Sequence, residues 1–268
     1  MKVDVLNLNG EPVEKVELPK VFNEGFRPDV IRRAVIALQS QRRQPYGPNV
    51  LAGLRSSAHY HGSRKYRYTM MMRDMARLPR IHGSSPHMTW RARKVPQAVK
   101  GRKAFPPKVE KIWAQKINKK EKRLALRSAI AATGNKDIVK ERGHAVDKIK
   151  TFPLVIKDDV EKIKKTKDVE KLFLSLGLDD ELKRLSKRKV RPGKGKMRGR
   201  KYKGKIGPLI IVDKDKEIKK ACENLIGVDV LNVKNISVEY LAPGSMPGRL
   251  TIWSKSSIEK LSVLYGPV

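Results

Sequence analysis

Pro208-Leu209-Ile210-Ile211-Val212 is an unbroken apolar run, opened by Gly207-Pro208 and closed by Asp213. Its length suits a β-strand, and the lack of polar alternation says that both faces of that strand are covered. Comparable runs lie at residues 152–156, 228–233 and 250–253, with a shorter one at 137–140. Helical spacing of apolar residues fills the intervals at 169–176, 181–185, 217–225 and 256–264. Strands that alternate with helices predict an α/β fold, a mainly parallel sheet covered by helices on both faces.

Outward from this core, the N-terminal residues behave differently. Residues 3–8 alternate apolar and polar, reach the turn pair Asn9-Gly10, and the alternation resumes over 13–18, which predicts a hairpin. Pro28 stands where a first helical residue is favoured, and Val30, Ile31, Ala34, Val35 and Leu38 follow at helical spacing up to about Arg43. A second helix is predicted from Asn118, which with Glu121 has the spacing of a capping box, to Gly134 as its C-terminal cap.

Between those two helices lies residues 46–108, a long irregular basic loop that shows no sustained period. It holds fourteen basic residues against the single acid Asp74, punctuated by six prolines, with Pro45 just before it. A structureless insertion much beyond roughly 12–15 residues is uncommon unless it is functional or disordered. A second run, residues 187–205, carries eleven basic residues and no acid. The two segments supply most of the net charge of +34, so the excess is localised. The expected organisation is therefore a globular α/β domain over 1–45 and 109–268, an inserted extended loop at 46–108, and a second basic loop at 187–205 within the domain.

Charge concentrated in this way points to a polyanion. No apolar run approaches the roughly 20 residues of a membrane span, and Asp4, Asn7, Asn9 and Glu11 interrupt any leader-like stretch. The single cysteine, Cys222, excludes a disulfide framework and lies on the apolar stripe of a predicted helix, the place of a small core residue. A cytoplasmic protein without a membrane partner is expected. Tyr60, Tyr66, Tyr68, Trp90 and Tyr202 are interleaved with the charges, which suits stacking on unpaired bases, and glycines 193, 195, 199 and 204 let backbone approach phosphate. RNA is favoured over duplex DNA because no predicted recognition helix carries the charge. The candidate RNA-binding residues are Arg55, His59, Arg64, Lys65, Arg67, Arg73, Arg77, Arg80, Trp90, Arg91, Arg93, Lys94, Lys100, Arg102 and Lys103 in the arm, with Lys194, Lys196, Arg198, Arg200, Lys201, Tyr202 and Lys203 in the second run.

The segment from Gly199 to Lys205 has P-loop spacing, but Ile206 stands where Ser or Thr would hold magnesium, and a strand rather than a helix follows. Four of the five histidines (His59, His61, His82, His87) lie in the arm, and two of them at i, i+2 suggest a metal. With only Asp74 and no thiolate to complete a shell, amid many arginines, they read as planar groups for RNA, and no metal is expected. Asp158, Asp159 and Glu161 beside lysines read as a solvated face. No cofactor and no catalytic set is expected. The rival is a phosphate-processing α/β enzyme with a basic lid, which needs a glycine-rich fingerprint after a strand. A free RNA-binding regulator is a further alternative.

Specific strings carry a family resemblance. They are Leu51-Ala52-Gly53-Leu54-Arg55, Arg91-Ala92-Arg93-Lys94-Val95-Pro96-Gln97-Ala98-Val99-Lys100-Gly101-Arg102 and Pro106-Pro107-Lys108, followed by Leu126-Arg127-Ser128-Ala129-Ile130-Ala131-Ala132-Thr133, Glu141-Arg142-Gly143-His144, Gly199-Arg200-Lys201-Tyr202 and Leu241-Ala242-Pro243-Gly244. Across essentially the whole chain the sequence resembles the universal large-subunit ribosomal protein four family in its archaeal form. The resemblance implies a structural, non-enzymatic component of the large ribosomal subunit, active in translation, with its α/β domain on the outer surface and its loop threaded into large-subunit ribosomal RNA. It implies that the loop tip helps to form the nascent-peptide exit tunnel, near the large-subunit protein twenty-two and the nascent polypeptide. Arg77, Leu78, Pro79, Arg80, Ile81, His82 and Gly83 match the tip-proximal pattern of the family.

Overall fold

The structure, a computed structural model, describes residues 2–83, 85–215 and 217–265. Two units divide it: residues 1–41 with 115–268, and residues 42–114. The first unit is the α/β body. In chain order it comprises β1 (Lys2–Leu6), β2 (Pro12–Glu17), α1 (Pro28–Gln41), α2 (Lys119–Thr133), α3 (Lys136–Glu141), β3 (Leu154–Ile156), α4 (Thr166–Ser175) and α5 (Asp179–Ser186). There follow β4 (Lys189–Val190), β5 (Tyr202–Lys203), β6 (Leu209–Val212), α6 (Ile218–Cys222), β7 (Asp229–Asn232), α7 (Val238–Leu241), β8 (Thr251–Ser254) and α8 (Lys255–Tyr265).

Six strands form one sheet in the order β2-β1-β3-β8-β6-β7, and every pairing in it except β1 with β2 is parallel. Successive residues of the apolar runs go to opposite faces, as the pleat requires. Leu209 and Ile211 join Val155, Trp253, Val3 and Val5 under α1, α2, α7 and α8. Ile210 and Val212 join Leu154, Ile156 and Ile252 in a second apolar cluster with α3, α4 and α6. This two-sided burial is why the runs show no alternation in sequence. The α/β reading with helices on both faces holds.

Local detail differs from expectation at three places. Residues 137–140 are helical, not a strand: the Asn135 side chain accepts from the Asp137 amide and starts α3. Four residues with adjacent Ile138 and Val139 carry too little period to separate the two states. The capping box at Asn118 does not form. Asn118 occupies the N-cap without a side-chain bond, and Glu121 pairs with Arg33 of α1 at 2.8 Å. Gly134 does end α2, in right-handed geometry. The carboxylates read as a solvated face are only partly so: Glu161 is buried and accepts from the Asp213 and Lys214 amides, and Asp158 accepts from the Ser256 amide at the start of α8. Cys222 is a core residue, and burial pushes its thiol up to about 12.

The helices that bracket the insertion hold together by themselves. Ser128 of α2 accepts from the Arg27 amide (2.7 Å) and donates to the Gly25 carbonyl (2.9 Å), fixing the entry to α1. At the far end, the Ser40 hydroxyl accepts from the Gln115 amide at 2.9 Å. Ala125, Ala129 and Ala132 are fully buried, and their small side chains let α2 lie close to its neighbours. Replacing residues 44–112 with a short glycine-serine linker should therefore leave one cooperative thermal transition. An insoluble or non-cooperative product would show that the insertion is needed for the body to fold.

Candidate nucleic-acid interface

The second unit, residues 42–114, contains no helix or strand among its described residues, yet it is not structureless. At its base Tyr46 stacks on Trp113 (centroids 5.7 Å), with Arg43 and Lys111 cations 3.9 and 4.4 Å from the Trp113 ring. That stack explains why the unit extends beyond 46–108 at both ends. Deeper in, three passes of chain meet at Arg80, whose backbone bridges His59 on one side and Ala92 on the other. Residues 77–83 thus run through the middle pass of a small meander.

Two of the candidate arginines are spent inside this arrangement. Arg80 donates to the Trp90 and Ala76 carbonyls at 2.8 and 2.9 Å, and Arg93 is buried with its guanidinium on the Val99 carbonyl. They hold the arm's own backbone, a role that sequence pattern does not carry. Trp90 and Lys94 are half-buried. The others, Arg55, His59, Arg64, Lys65, Arg67, Arg73, Arg77, Arg91, Lys100, Arg102 and Lys103, are exposed. Arg73 lies 4.4 Å over the Trp90 ring and Arg67 lies 5.4 Å over Tyr68.

The interior of the arm is thin. Ala58, Met70 and Arg93 are its buried residues, whereas Phe105, Val50 and Ile112 are 97%, 91% and 86% exposed. Met72, Trp90, Lys94 and Lys100 all have φ between 59° and 70°, a left-handed backbone that costs a residue bearing a Cβ about 1–3 kcal/mol. Outside the arm only Ser245 shares that geometry among the described non-glycine residues. Strain and exposed apolar surface together mark a segment shaped to meet something else.

Residues 187–205 fold as a hairpin. β4 and β5 pair antiparallel with Lys189 opposite Lys203, and a short 3-10 turn spans Lys194–Arg198. Gly193 (φ 77°) and Gly199 (φ 76°) bound that turn in the left-handed region open to glycine. Lys194, Lys196, Arg198, Arg200, Lys201, Tyr202 and Lys203 are all exposed. The P-loop spacing thus lies on a turn and a return strand, without the helix a nucleotide phosphate needs.

What aims the hairpin is a buried charge network that the sequence did not reveal. Glu181 is fully buried and accepts from Arg184 (2.6 and 2.8 Å), His144 Nδ1 (2.7 Å) and the Ala145 amide (3.0 Å). Burial by itself would raise this carboxyl, but the hydrogen bonds from Arg184, His144 and Ala145 hold it at about 2. Burial pushes the His144 imidazole below its usual value despite Glu181, and Arg184 and Arg142 push the same way, so it stays neutral. Arg184 also donates to the Ile206 carbonyl, and Lys205 donates back to the Arg184 carbonyl. Next to it Arg249, 2% exposed, donates to the Gly207, Gly227 and Tyr240 carbonyls and pairs with Asp229. Both ends of the hairpin are therefore clamped to the body. The signal was the out-of-place Glu181 on the apolar side of a predicted helix, but its partners come from distant sequence.

No helix among the described residues is long and apolar enough to cross a membrane. An α/β body that issues two acid-poor cationic segments, one of them strained and incompletely buried, has the build of a polyanion-binding structural protein. The chain belongs to the ribosomal protein L4/L1 family, whose family model matches residues 16–264. This is a family of structural proteins rather than enzymes. The chain is 50% identical over 262 residues to the large ribosomal subunit protein uL4 of Archaeoglobus fulgidus, covering 97% of this chain and 98% of that one. It is 48% identical over 265 residues to the protein of the same name from Methanosphaera stadtmanae, covering 98% and 97%.

Proposed function

We propose that this chain is a structural component of the large ribosomal subunit in the cytoplasm, where it binds and organises large-subunit ribosomal RNA. The observation that carries this is the arm: exposed arginines and lysines, exposed apolar side chains and strained backbone occur together on a unit with almost no interior of its own. Guanidinium and ammonium groups offset phosphate repulsion, so RNA segments can pack closely against the arm, and Tyr60, Tyr66 and Phe105 offer faces for unpaired bases. The hairpin supplies a second, independent set of phosphate contacts from a fixed base. Family membership and the names of the archaeal relatives support the same reading.

Residues 77–83 are proposed to help form the nascent-peptide exit tunnel, beside the large-subunit protein twenty-two and the nascent polypeptide. Of these, Arg77 is exposed and the rest are half-buried, so Arg77 is the residue placed to reach a passing chain. The native Cys222 is buried and does not compete in a thiol experiment. An Arg77→Cys chain, assembled into subunits carrying a stalled nascent peptide, should cross-link to that peptide, whereas Phe105→Cys should not. Equal cross-linking from both positions, or none from Arg77→Cys in assembled subunits, would remove the tunnel assignment. Failure of the unmodified chain to sediment with large subunits would remove the ribosomal one.

A further inference from the structure

The arm gathers three imidazoles that the sequence keeps apart. His59 and His61 stand two residues from each other, and His82 arrives on the middle pass of the meander. One ring nitrogen from each lies within 4.8 Å of the other two, and His59 Nε2 is 2.6 Å from His61 Nε2. The ring centroids are 4.3 Å (His59 to His61), 4.3 Å (His59 to His82) and 4.7 Å (His61 to His82) apart. The fourth arm histidine, His87, is exposed and takes no part.

Three features make this more than a stack of rings. His59 Nδ1 lies 3.1 Å from the Ser57 carbonyl, which can only accept, so the proton resides on Nδ1 and the Nε2 lone pair faces into the cluster, where it accepts from His61 Nε2 and an ion would take that proton's place. That is the tautomer of a metal-ligating histidine held by a backbone carbonyl. His82 is the second. Its Nε2 lies 3.5 Å from the His59 carbonyl, and its Nδ1 is buried with no hydrogen-bond partner. A buried polar nitrogen without a partner costs about 1–3 kcal/mol. The third is the surrounding shell: Tyr66 packs on His61, and Tyr68 and Trp90 pack on His82, so these rings hold the imidazoles in place.

We infer that His59, His61 and His82 form a binding site for a borderline divalent metal ion, Zn2+ being the best match to three neutral imidazoles. Zinc bonds to histidine nitrogen at about 2.0–2.1 Å, so tetrahedral ligands stand about 3.3 Å apart. The His59–His61 separation is below that value and the 4.8 Å limit above it, so small rotations of the rings suffice. The three ligands leave one position for water. The expectation of no metal rested on the lack of a thiolate or a second acid; a third imidazole removes that need. Two of the guanidinium groups that counted against a cation, Arg73 and Arg67, lie over the Trp90 and Tyr68 faces, so aromatic rings stand between part of that charge and the imidazoles. An ion here would tie His59, His61 and His82, three separate points of a segment with almost no apolar interior, into one rigid knot.

The test is titration of the full chain with Co2+ followed by Zn2+, read by visible absorption and calorimetry. One Co2+ per chain with the intense bands of tetrahedral coordination, displaced by one Zn2+, is expected. His59→Ala, His61→Ala and His82→Ala should each weaken Zn2+ binding at least about tenfold, while His87→Ala should leave it unchanged. Circular dichroism of each variant checks that the α/β body remains folded. Absence of tetrahedral bands, more than one equivalent of equal affinity, or the same loss in His87→Ala would overturn the site and leave the three rings as a stacking cluster.

Discussion

RNA binding by the isolated chain should fall about 10³–10⁵-fold as monovalent salt rises from roughly 50 mM to 200 mM, provided six to ten phosphates are contacted. Each neutralised phosphate contributes about −0.7 to −0.9 to the slope of log affinity against log salt, so ten contacts give about −7 to −9. The hairpin provides a sharper version. Lys194, Lys196, Arg198, Arg200, Lys201 and Lys203 are all exposed, and none has an acidic partner among the described ion pairs. Changing all six to glutamine should flatten the slope by about 4–5 units if each meets a phosphate. Because these side chains are clear of the core, the thermal transition of the body should not move. An unchanged slope would reduce the hairpin to a solvated loop and place all RNA contacts on the arm.

Glu181→Gln should cost about 3–5 kcal/mol of body stability, the usual penalty for removing one partner of a buried ion pair. The change leaves the guanidinium of Arg184 without its counter-charge beside neutral His144, in a site without water access to Glu181. The wild-type protein should show the same dependence through pH. The folded carboxyl lies at about 2, against an ordinary 4.5. Between those values the unfolded chain binds a proton that the folded chain refuses. This stabilisation is thus complete above about pH 4.5 and is lost as pH falls toward 2, roughly 3 kcal/mol in all. His144 acts in the same direction, since its lowered folded value lets the unfolded chain take a proton first below about 6.5. Guanidinium chloride midpoints measured from pH 7 to pH 3 should fall in the wild type and much less in Glu181→Gln. Parallel pH profiles would mean that other carboxylates govern acid stability.

How much of this could be read from residues alone depends on the range of the interaction. Runs such as Leu209–Val212 announced strands because burial on both faces erases alternation, a local signature of a non-local fact. The charge segregation that marks the interface was equally plain. Short elements were not: residues 137–140 lacked the length for a period to decide between strand and helix. Roles set by tertiary partners were hidden altogether. Glu181 meets His144 from 37 positions away and Glu161 caps amides 52 and 53 positions away, so the partners of neither can be read from the sequence around it. Arg80 and Arg93 resemble their exposed neighbours, because turning a guanidinium inward leaves no mark in composition. His82 joins His59 and His61 only through the meander.

The sheet order also has a meaning in time. β8 lies between β3 and β6, yet it is the last strand to be synthesised. Without Thr251–Ser254 the sheet order leaves two separate halves: β2-β1-β3 with an open edge at β3, and β6-β7 with an open edge at β6. Both cationic segments, by contrast, precede β8 in the chain. On the proposed function, both RNA-binding segments are thus made before the strand that joins the two half-sheets. A chain that stops short of β8 keeps two parallel strand edges bare, the condition under which strands pair with the wrong neighbour.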